Sequence, residues 1–148
     1  MIYSRHIYQN DEDYGRIRAF LREVFLRNHR QELSWQVARL DYWRYFINEH
    51  IDHYPLSQAT SIFETVEGSI AGVVTADGRG NAYLNVHPDL RTPDLECLML
   101  ETAEASLTEP DPEGRGHLTV WASQNDRLRI QLLQERGYRK GEWPEHQY

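Results

Sequence analysis

The sequence has 148 residues, 40% of them hydrophobic, which is enough for the core of a single domain. The net charge of −7 makes non-specific binding to nucleic acid or to a membrane surface unfavourable, and a single cysteine excludes an intrachain disulfide and a Cys-x-x-Cys metal site. No apolar run approaches the roughly 20 residues of a membrane span and the N-terminus has no apolar signal core, so we expect a cytoplasmic protein.

The N-terminal third is predicted to form one strand and two helices. Residues 3–8 can form a short strand, and Asn10 is a suitable N-cap because three acidic residues follow it at the positive helix end. This helix is expected to end near Asn28, and a second one to run from residue 34 to about residue 50. The apolar surface of the second helix is wide, which indicates contacts on more than one side. These contacts could be with the core, with an acceptor pocket or with a partner. Its main stripe consists of Trp35, Ala38, Tyr42, Tyr45 and Phe46.

The middle of the chain is predicted to form three consecutive strands. The first covers residues 60–66, with a turn at Glu67 and Gly68, and the second covers residues 69–75. A glycine-containing turn then leads to the third strand, residues 81–86, in which apolar and polar side chains alternate.

A helix is predicted to follow this strand after a short turn. Thr92 is a good N-cap, Pro93 suits the first helical position, and Asp94 favours the positive helix end. A strand, a tight turn and a helix N-terminus together make a potential anion site, because unpaired N–H groups point out of the turn.

The C-terminal third is predicted to alternate between strand and helix. Residues 117–122 form a strand, and a helix starts at Asn125 or Asp126 and is closed by Gly137. The chain from Tyr138 onward is expected to be a strand again. We see no internal repeat and no low-complexity segment.

One motif in this series resembles a known family. Residues 86–91, which read VHPDLR, look like the V-x-P-x-x-R that leads into the acetyl-CoA loop of GNAT-superfamily N-acetyltransferases. In that family a glycine-rich turn, (Q/R)-x-x-G-x-(G/A), holds the CoA pyrophosphate on its backbone amides. The resemblance implies that acetyl-CoA is the cofactor and that the strand end and the turn bind it. The residues so implied are Val86 for pantetheine and Arg91, Thr92, Asp94, Leu95 and Glu96 for the diphosphate.

The turn also departs from the family pattern. Asp94 and Glu96 stand where the small residues would be, and a carboxylate facing a diphosphate costs about 1 kcal/mol or more per close pair near a surface. The backbone also loses the close approach that glycine permits. We therefore expect weak or no acetyl-CoA binding, and recovery on replacing both residues by Gly. The alternative interpretation is a helix capped by its own acids.

The order of elements resembles the same family over almost the whole chain. It implies an α/β fold of the GNAT type, with a mixed, mostly antiparallel sheet and helices on both faces, in one domain covering residues 1–148. Residues 68–72 resemble the family's G-x-x-x-G hairpin, and residues 126–138 resemble its closing N-x-x-A-x-x-x-Y-x-x-x-G-F. In the closing motif Asp126, Arg129 and Leu133 replace the Asn, the Ala and the Tyr that protonates the CoA thiolate.

The family sheet ends in a hairpin, and Tyr148 comes where the last strand should still be running. Either this strand is short or the chain is a fragment. The sequence is similar to the N-terminal repeat of a tandem GNAT protein, in which one CoA loop is degraded.

Acyl transfer to an amine needs a base, an oxyanion stabiliser and an acid for the thiolate. The catalytic candidates on or next to the predicted strands are His87, Tyr83 and Glu64. Their simpler interpretations are a turn residue for His87, a packed aromatic for Tyr83 and a solvated strand residue for Glu64. Cys97 is more simply a small buried residue than a nucleophile, although the helix dipole could lower its pKa.

No metal site is predicted. His50 and His53 have a spacing that can bind a metal, but no third ligand is evident.

Two functional hypotheses follow from these observations. The first is acetyl-CoA-dependent acetylation of a small amine or of a peptide N-terminus. The second is a non-catalytic GNAT module that packs against a catalytic copy. The expected partners are the amine substrate, if the chain is active, and either a second chain in a homodimer or a second GNAT repeat.

Overall fold

The computed structural model describes residues 3–28, 35, 37–45, 55–123 and 125–140. The helices in these ranges are α1 (Asp11–Arg27), α2 (Val37–Tyr42), α3 (Leu56–Ala59), α4 (Pro93–Leu107) and α5 (Arg127–Glu135). The strands are β1 (Tyr3–Ile7), β2 (Thr60–Thr65), β3 (Ile70–Ala76), β4 (Asn81–Val86), β5 (Glu109–Pro110), β6 (Gly116–His117) and β7 (Thr119–Val120).

Five of the strands form one sheet in the order β1-β2-β3-β4-β7. The first three pairings are antiparallel and the pairing of β4 with β7 is parallel, so the predicted mixed, mostly antiparallel sheet is confirmed. β4 is hydrogen-bonded on both sides, as we predicted for a central strand. β5 and β6 form a separate small hairpin.

Helices cover both faces of the sheet, which is also confirmed. On one face α4 packs so closely on β3 that a Cβ added to Gly72 would lie 2.7 Å from the Met99 sulfur. This contact explains why the second glycine of the predicted hairpin is needed. On the other face the Trp35 N–H donates to Asn85 Oδ1 on β4 (2.7 Å), and His6 on β1 contacts Asp13 of α1 (3.0 Å).

The three longest helices begin at the polar side chains that the sequence indicates. Asn10 Oδ1 accepts the N–H of Asp13, and Thr92 Oγ1 accepts the N–H of Leu95. Of the two candidates for the start of α5, Asp126 is the N-cap, because its carboxylate accepts the backbone N–H of Arg129 (3.2 Å). Each cap satisfies an N–H group that the helix itself leaves unpaired.

Several predicted elements differ from the observed ones. The strand predicted over residues 117–122 is split between β6 and β7, and α3 was not predicted. Gly137 closes α5 as predicted, with φ 87° and with the Tyr138 N–H donating back to the Leu133 carbonyl (2.9 Å). Residues 138–140 are not in a strand, and the rest of the strand expected from Tyr138 lies outside the described residues.

Of the second predicted helix, the structure describes residue 35 and residues 37–45, and α2 covers Val37–Tyr42. The apolar surface divides among these residues. Trp35, Leu40 and Trp43 are buried, whereas Tyr42 and Tyr45 are exposed. Phe46 and the predicted helix end, together with His50 and His53, lie outside the described residues. Across the described ranges, none of the helices combines the length and the apolar character that crossing a bilayer requires.

Candidate functional site

The described pairing of β4 with β7 is short, and the candidate site begins where it ends. Their parallel pairing comprises Asn81 with Thr119 and Ala82 with Val120, and the last backbone hydrogen bond runs from the Trp121 N–H to the Ala82 carbonyl (3.3 Å). The described pairing ends at Ala82, and the rest of β4, from residue 83 to Val86, leads to the turn before α4.

His87 follows β4 and holds the turn that leads to α4. Its Nδ1 accepts the N–H of Asp89 (3.1 Å), its carbonyl accepts the N–H of Leu90 (3.1 Å), and its Nε2 lies 3.3 Å from a carboxylate oxygen of Glu23. Because Nδ1 is an acceptor here, the proton of the neutral ring is on Nε2. Both ring nitrogens are engaged, so the observed contacts are those of a turn residue.

Thr92 accepts hydrogen bonds from backbone N–H groups that we expected to face an anion. Its hydroxyl accepts the N–H of Leu95 and its carbonyl accepts the N–H of Glu96 (3.0 Å), while Pro93 has no N–H. Tyr3 adds a further contact, with its hydroxyl 3.1 Å from that of Thr92. The amides of Leu95 and Glu96 are therefore committed within the chain.

Arg91 also points into the protein. Its Nε donates to Glu96 (2.7 Å), and one terminal nitrogen donates to both carboxylate oxygens of Asp126 at 2.7 and 2.9 Å. These are charge-assisted hydrogen bonds, and they engage two different carboxylates. They connect the start of α4 with the start of α5.

A second arginine lies behind the first. Arg129 donates from Nε and from a terminal nitrogen to the two oxygens of Glu96, and both side chains are buried. Burial lowers the pKa of Arg129, but the carboxylates of Glu96 and Asp126 outweigh this effect, so the pKa is raised and the guanidinium stays charged. We call Arg91, Glu96, Asp126 and Arg129 the ion network; its two positive and two negative charges cancel.

The ion network changes the interpretation of Glu96. We expected this carboxylate to face a bound diphosphate, but it is fully buried and points toward Arg129. A charge can be buried only with a partner, and Arg129 is the partner that the family pattern does not contain. Asp94, by contrast, is exposed.

A signal for this network was present in the sequence. Glu96, Asp126 and Arg129 are three departures from the family pattern, they carry opposite charges, and they lie on two segments that the fold brings together. Asp126 and Arg129 were noted only as departures and were not predicted as site residues.

The three catalytic candidates are not brought together. Glu64 lies on β2, separated from β4 by β3, and binds Arg16 at 2.8 Å with His6 3.7 Å away. Tyr83 lies on β4, and its ring is 5.4 Å from that of Trp35. Tyr83 therefore lies on β4 and His87 in the turn that follows it, whereas Glu64 lies two strands away.

Two buried donors lie on β4 and against it. Among the described residues, no hydrogen-bond partner is found for Asn85 Nδ2 or Trp35 Nε1, although Asn85 Oδ1 accepts the backbone N–H of Trp35. An unpaired buried donor costs free energy, so such groups are uncommon in folded proteins.

Other features lie apart from the turn or carry no site. A cavity of about 730 Å³ lies between α1 and the start of α2, where Gly15, Arg22, Leu26 and Val37 line it.

The Cys97 thiol shows no sign of activation. Burial raises its pKa, which is opposite to the lowering by the helix dipole that we considered. Among the described residues, no group of three His, Cys, Asp or Glu side chains could hold a metal ion.

Comparisons with known proteins find a likeness at the level of structure. No protein-family model matches the sequence, and no match was found among curated proteins. A GCN5-related N-acetyltransferase from Sphaerobacter thermophilus superposes with a TM-score of 0.64 at 15% identity, over 93% of this chain and 44% of its own. This chain therefore spans less than half the length of that protein.

Two further structures agree. A GNAT-family acetyltransferase from Streptococcus pneumoniae gives a TM-score of 0.59 at 17% identity, covering 95% of this chain and 86% of its own. A chain of the NatC complex, crystallised with a Gag peptide and CoA, gives 0.55 at 12% identity, covering 99% and 94%. Identities this low establish the fold alone. The chain has the GNAT fold, the fold of this superfamily of N-acetyltransferases.

Proposed function

We propose that this chain is an acetyltransferase-like GNAT domain whose own acetyl-CoA site is degraded, and that it acts beside a catalytic copy instead of carrying out acyl transfer itself. Acetyl-CoA-dependent transfer of an acetyl group to an amine is then the reaction of the assembly. The amine belongs to a small molecule or to a peptide N-terminus.

The observation that carries this proposal is the ion network. Arg91, the one cation of the turn that the family resemblance assigns to the diphosphate, is bonded to Glu96 and Asp126. The amides of Leu95 and Glu96 are bonded to Thr92. A diphosphate at this turn would have to compete with these charge-assisted bonds and lie beside two carboxylates, which is unfavourable.

The acid that the family resemblance assigns to the CoA thiolate is also missing. Leu133 is fully buried and occupies the position of the family's Tyr, and a Leu cannot donate a proton. Leu133 therefore supports the same proposal as the ion network, and it does so independently.

A second candidate is direct acyl transfer by this chain, and two buried donors at β4 favour it. Among the described residues no partner is found for Asn85 Nδ2 or Trp35 Nε1, and such donors could orient a substrate carbonyl. In this case Val86 would contact pantetheine through its backbone, and Tyr83 or His87 would be the nearest titratable groups.

A partner completes the first candidate. Three apolar side chains are each about half exposed: Leu26 on α1, Tyr42 at the end of α2 and Tyr45 just after it. Aromatic side chains of this kind are enriched in interfaces. We propose a second GNAT repeat or a second copy of this chain as the partner. Sedimentation equilibrium over a concentration series tests the second form, and a monomer at high micromolar concentration would count against it.

Calorimetric titration with acetyl-CoA separates the two functions. The first candidate expects no binding in the micromolar range, because Arg91 is already neutralised. Arg91→Ala is the matched control, since it removes the cation that the resemblance assigns to the diphosphate. Micromolar affinity in the unmodified chain, lost in Arg91→Ala, would overturn the first candidate and establish cofactor binding at this turn.

A further inference from the structure

Packing within the described part of the chain does not explain Gly15. This residue lies inside α1, where glycine is less favourable than alanine because it loses more backbone freedom on folding. A Cβ added to Gly15 would meet nothing within 4 Å, whereas a Cβ added to Gly72 would meet the side chain of Met99. The space beside Gly15 is therefore open to a group from outside the chain.

This space is part of the cavity of about 730 Å³ between α1 and the start of α2, which we call the α1 groove. Its α1 wall contains Gly15, Ala19, Arg22 and Leu26, and its α2 wall contains Val37 and Ala38. Gly15 and Ala19 have little or no side chain, and Leu26 is 53% exposed to solvent. Small residues on an exposed helix face allow the backbone of a second helix to come close.

Charged residues flank the small ones on the same face of α1. Glu12, Gly15, Ala19 and Arg22 follow one another at intervals of three, four and three residues, which keeps them on one side of a helix. The side chains of Glu12 and Arg22 are exposed, and within the described ranges no hydrogen bond or ion pair is found for either. They lie about 15 Å apart along the helix, so they cannot pair with each other.

The order of these residues matches a second copy of the same helix that runs in the opposite direction. Glu12 and Arg22 lie equally far from Ile17, on either side of it. Gly15 and Ala19 have the same midpoint. One two-fold axis at the level of Ile17 would therefore place Glu12 opposite the partner's Arg22, and Gly15 opposite the partner's Ala19. A two-fold contact forms each of these pairs twice, and the small residues let the helix axes approach to about 8 Å.

We infer that the α1 groove is the contact surface between two copies of this chain, in which antiparallel α1 helices pack at their small residues and exchange ion pairs between Glu12 and Arg22. The inference rests on the proposed function, because it names the surface through which a second copy binds. Arg18 does not oppose this contact, since Asp41 already neutralises it at 3.2 Å. One pair of helices forms a small interface, so we expect a dissociation constant in the micromolar range.

Sedimentation equilibrium of charge-reversed variants over a concentration series tests this arrangement. Glu12→Arg and Arg22→Glu should each raise the dimer dissociation constant at least about tenfold, because each places like charges opposite each other twice. Glu12→Arg/Arg22→Glu should return it to within about threefold of the value for the unmodified chain. The two positions are too far apart to interact within one helix, so this recovery can arise only between copies.

Asp94→Arg is the matched control for charge and for helix position. Asp94 is an exposed acid in the first turn of α4, as Glu12 is in α1, but α4 covers the other face of the sheet. The control changes the net charge by the same amount as Glu12→Arg and should leave the dissociation constant unchanged. An equal effect of the two variants would mean that overall charge, and not contact in the α1 groove, controls association, and the inference would be wrong.

Gly15→Leu tests the close approach of the helices without a change of charge. Leucine favours a helix more than glycine does and has free space at this position, so the thermal midpoint measured at low concentration should rise. The same side chain would keep two helices apart, so the dissociation constant should rise at least about tenfold. Unchanged or tighter association would overturn the inference. This variant decides alone if the charge-reversed chains do not fold.

The outcomes also separate this inference from the proposed function. A chain that dimerises with the same affinity in every variant contradicts the α1 groove as the interface but keeps a second copy as the partner. A chain that is monomeric at high micromolar concentration contradicts the inference and leaves a second GNAT repeat as the partner. Failure of the proposed function would show instead as acetyl-CoA binding by the unmodified chain.

Discussion

Glu96 and Arg129 lie 33 positions apart in the sequence and form two hydrogen bonds, of 3.0 and 3.2 Å, between fully buried side chains. They join the first turn of α4 to the first turn of α5. A buried ion pair adds little net stability over an apolar pair of the same size, but removal of one partner leaves a charge that the interior cannot solvate.

The first prediction concerns this pair. Glu96→Ala should lower the free energy of unfolding by about 3–5 kcal/mol, because it leaves Arg129 without its main partner. Arg129→Ala should behave similarly, and Glu96→Ala/Arg129→Ala should cost much less than the sum of the two single changes. Urea denaturation of the four proteins measures the coupling. Strictly additive losses would show that the two side chains do not depend on each other.

This pair also bears on the expectation that glycine at positions 94 and 96 restores the turn. Glycine at position 96 would leave Arg129 without its main partner, so we expect the double change to lower stability strongly. We therefore expect a stable restored turn to need a change of Arg129 together with Glu96.

The second prediction concerns acid stability. Burial raises the pKa of Asp13, but the Gln9 N–H and the His6 ring outweigh this, so the pKa lies below its usual range. A carboxyl group with a lowered folded-state pKa stabilises the fold above its unfolded pKa of about 3.9, and the contribution is lost as the pH falls through the folded value. Asp13→Asn should therefore cost about 1–3 kcal/mol at pH 7 and much less near pH 2.

Urea denaturation at the two pH values checks this dependence. Glu12→Gln is the control, because Glu12 is exposed on the same turn of α1. A cost of Asp13→Asn that is the same at both pH values would show that shape, and not charge, is what Asp13 contributes.

The third prediction concerns Gly72 on β3. A Cβ at this position would lie 2.7 Å from the Met99 sulfur and 2.8 Å from its methyl carbon. Gly72→Ala should therefore cost about 1–3 kcal/mol by overpacking. The same change in a Met99→Ala background should cost much less, because the clashing atoms are gone. An equal cost in both backgrounds would place the strain in the backbone, near the Asn85 carbonyl at 3.3 Å.

The fourth prediction concerns the tautomer of His87. The Asp89 N–H donates to Nδ1, so the neutral ring should carry its proton on Nε2. A long-range ¹H–¹⁵N correlation spectrum at pH 7.5 distinguishes the two nitrogens. Glu23→Gln should leave the tautomer unchanged, since the contact at Nδ1 remains. A proton on Nδ1 would be incompatible with the turn described here and would return His87 to the list of candidate bases.

The local elements of this fold are determined largely by short-range chemistry. Asn10 and Thr92 cap helices because their side chains reach N–H groups three residues ahead. Alternation and turn residues predicted the three-strand meander, since a strand's side-chain period is two whatever surrounds it. The family resemblance then placed Arg91 at the start of α4.

The tertiary structure decided which charged side chains are buried and with which groups they pair. Glu96 and Arg129 are adjacent only because α4 and α5 pack together, and an isolated sequence segment does not reveal that its carboxylate will be buried. Glu64 and Tyr83 were both catalytic candidates on predicted strands, yet the sheet order puts β3 between their strands. Long-range pairing is a property of the packed chain, because the energy of a charge depends on what surrounds it and not on its neighbours in sequence.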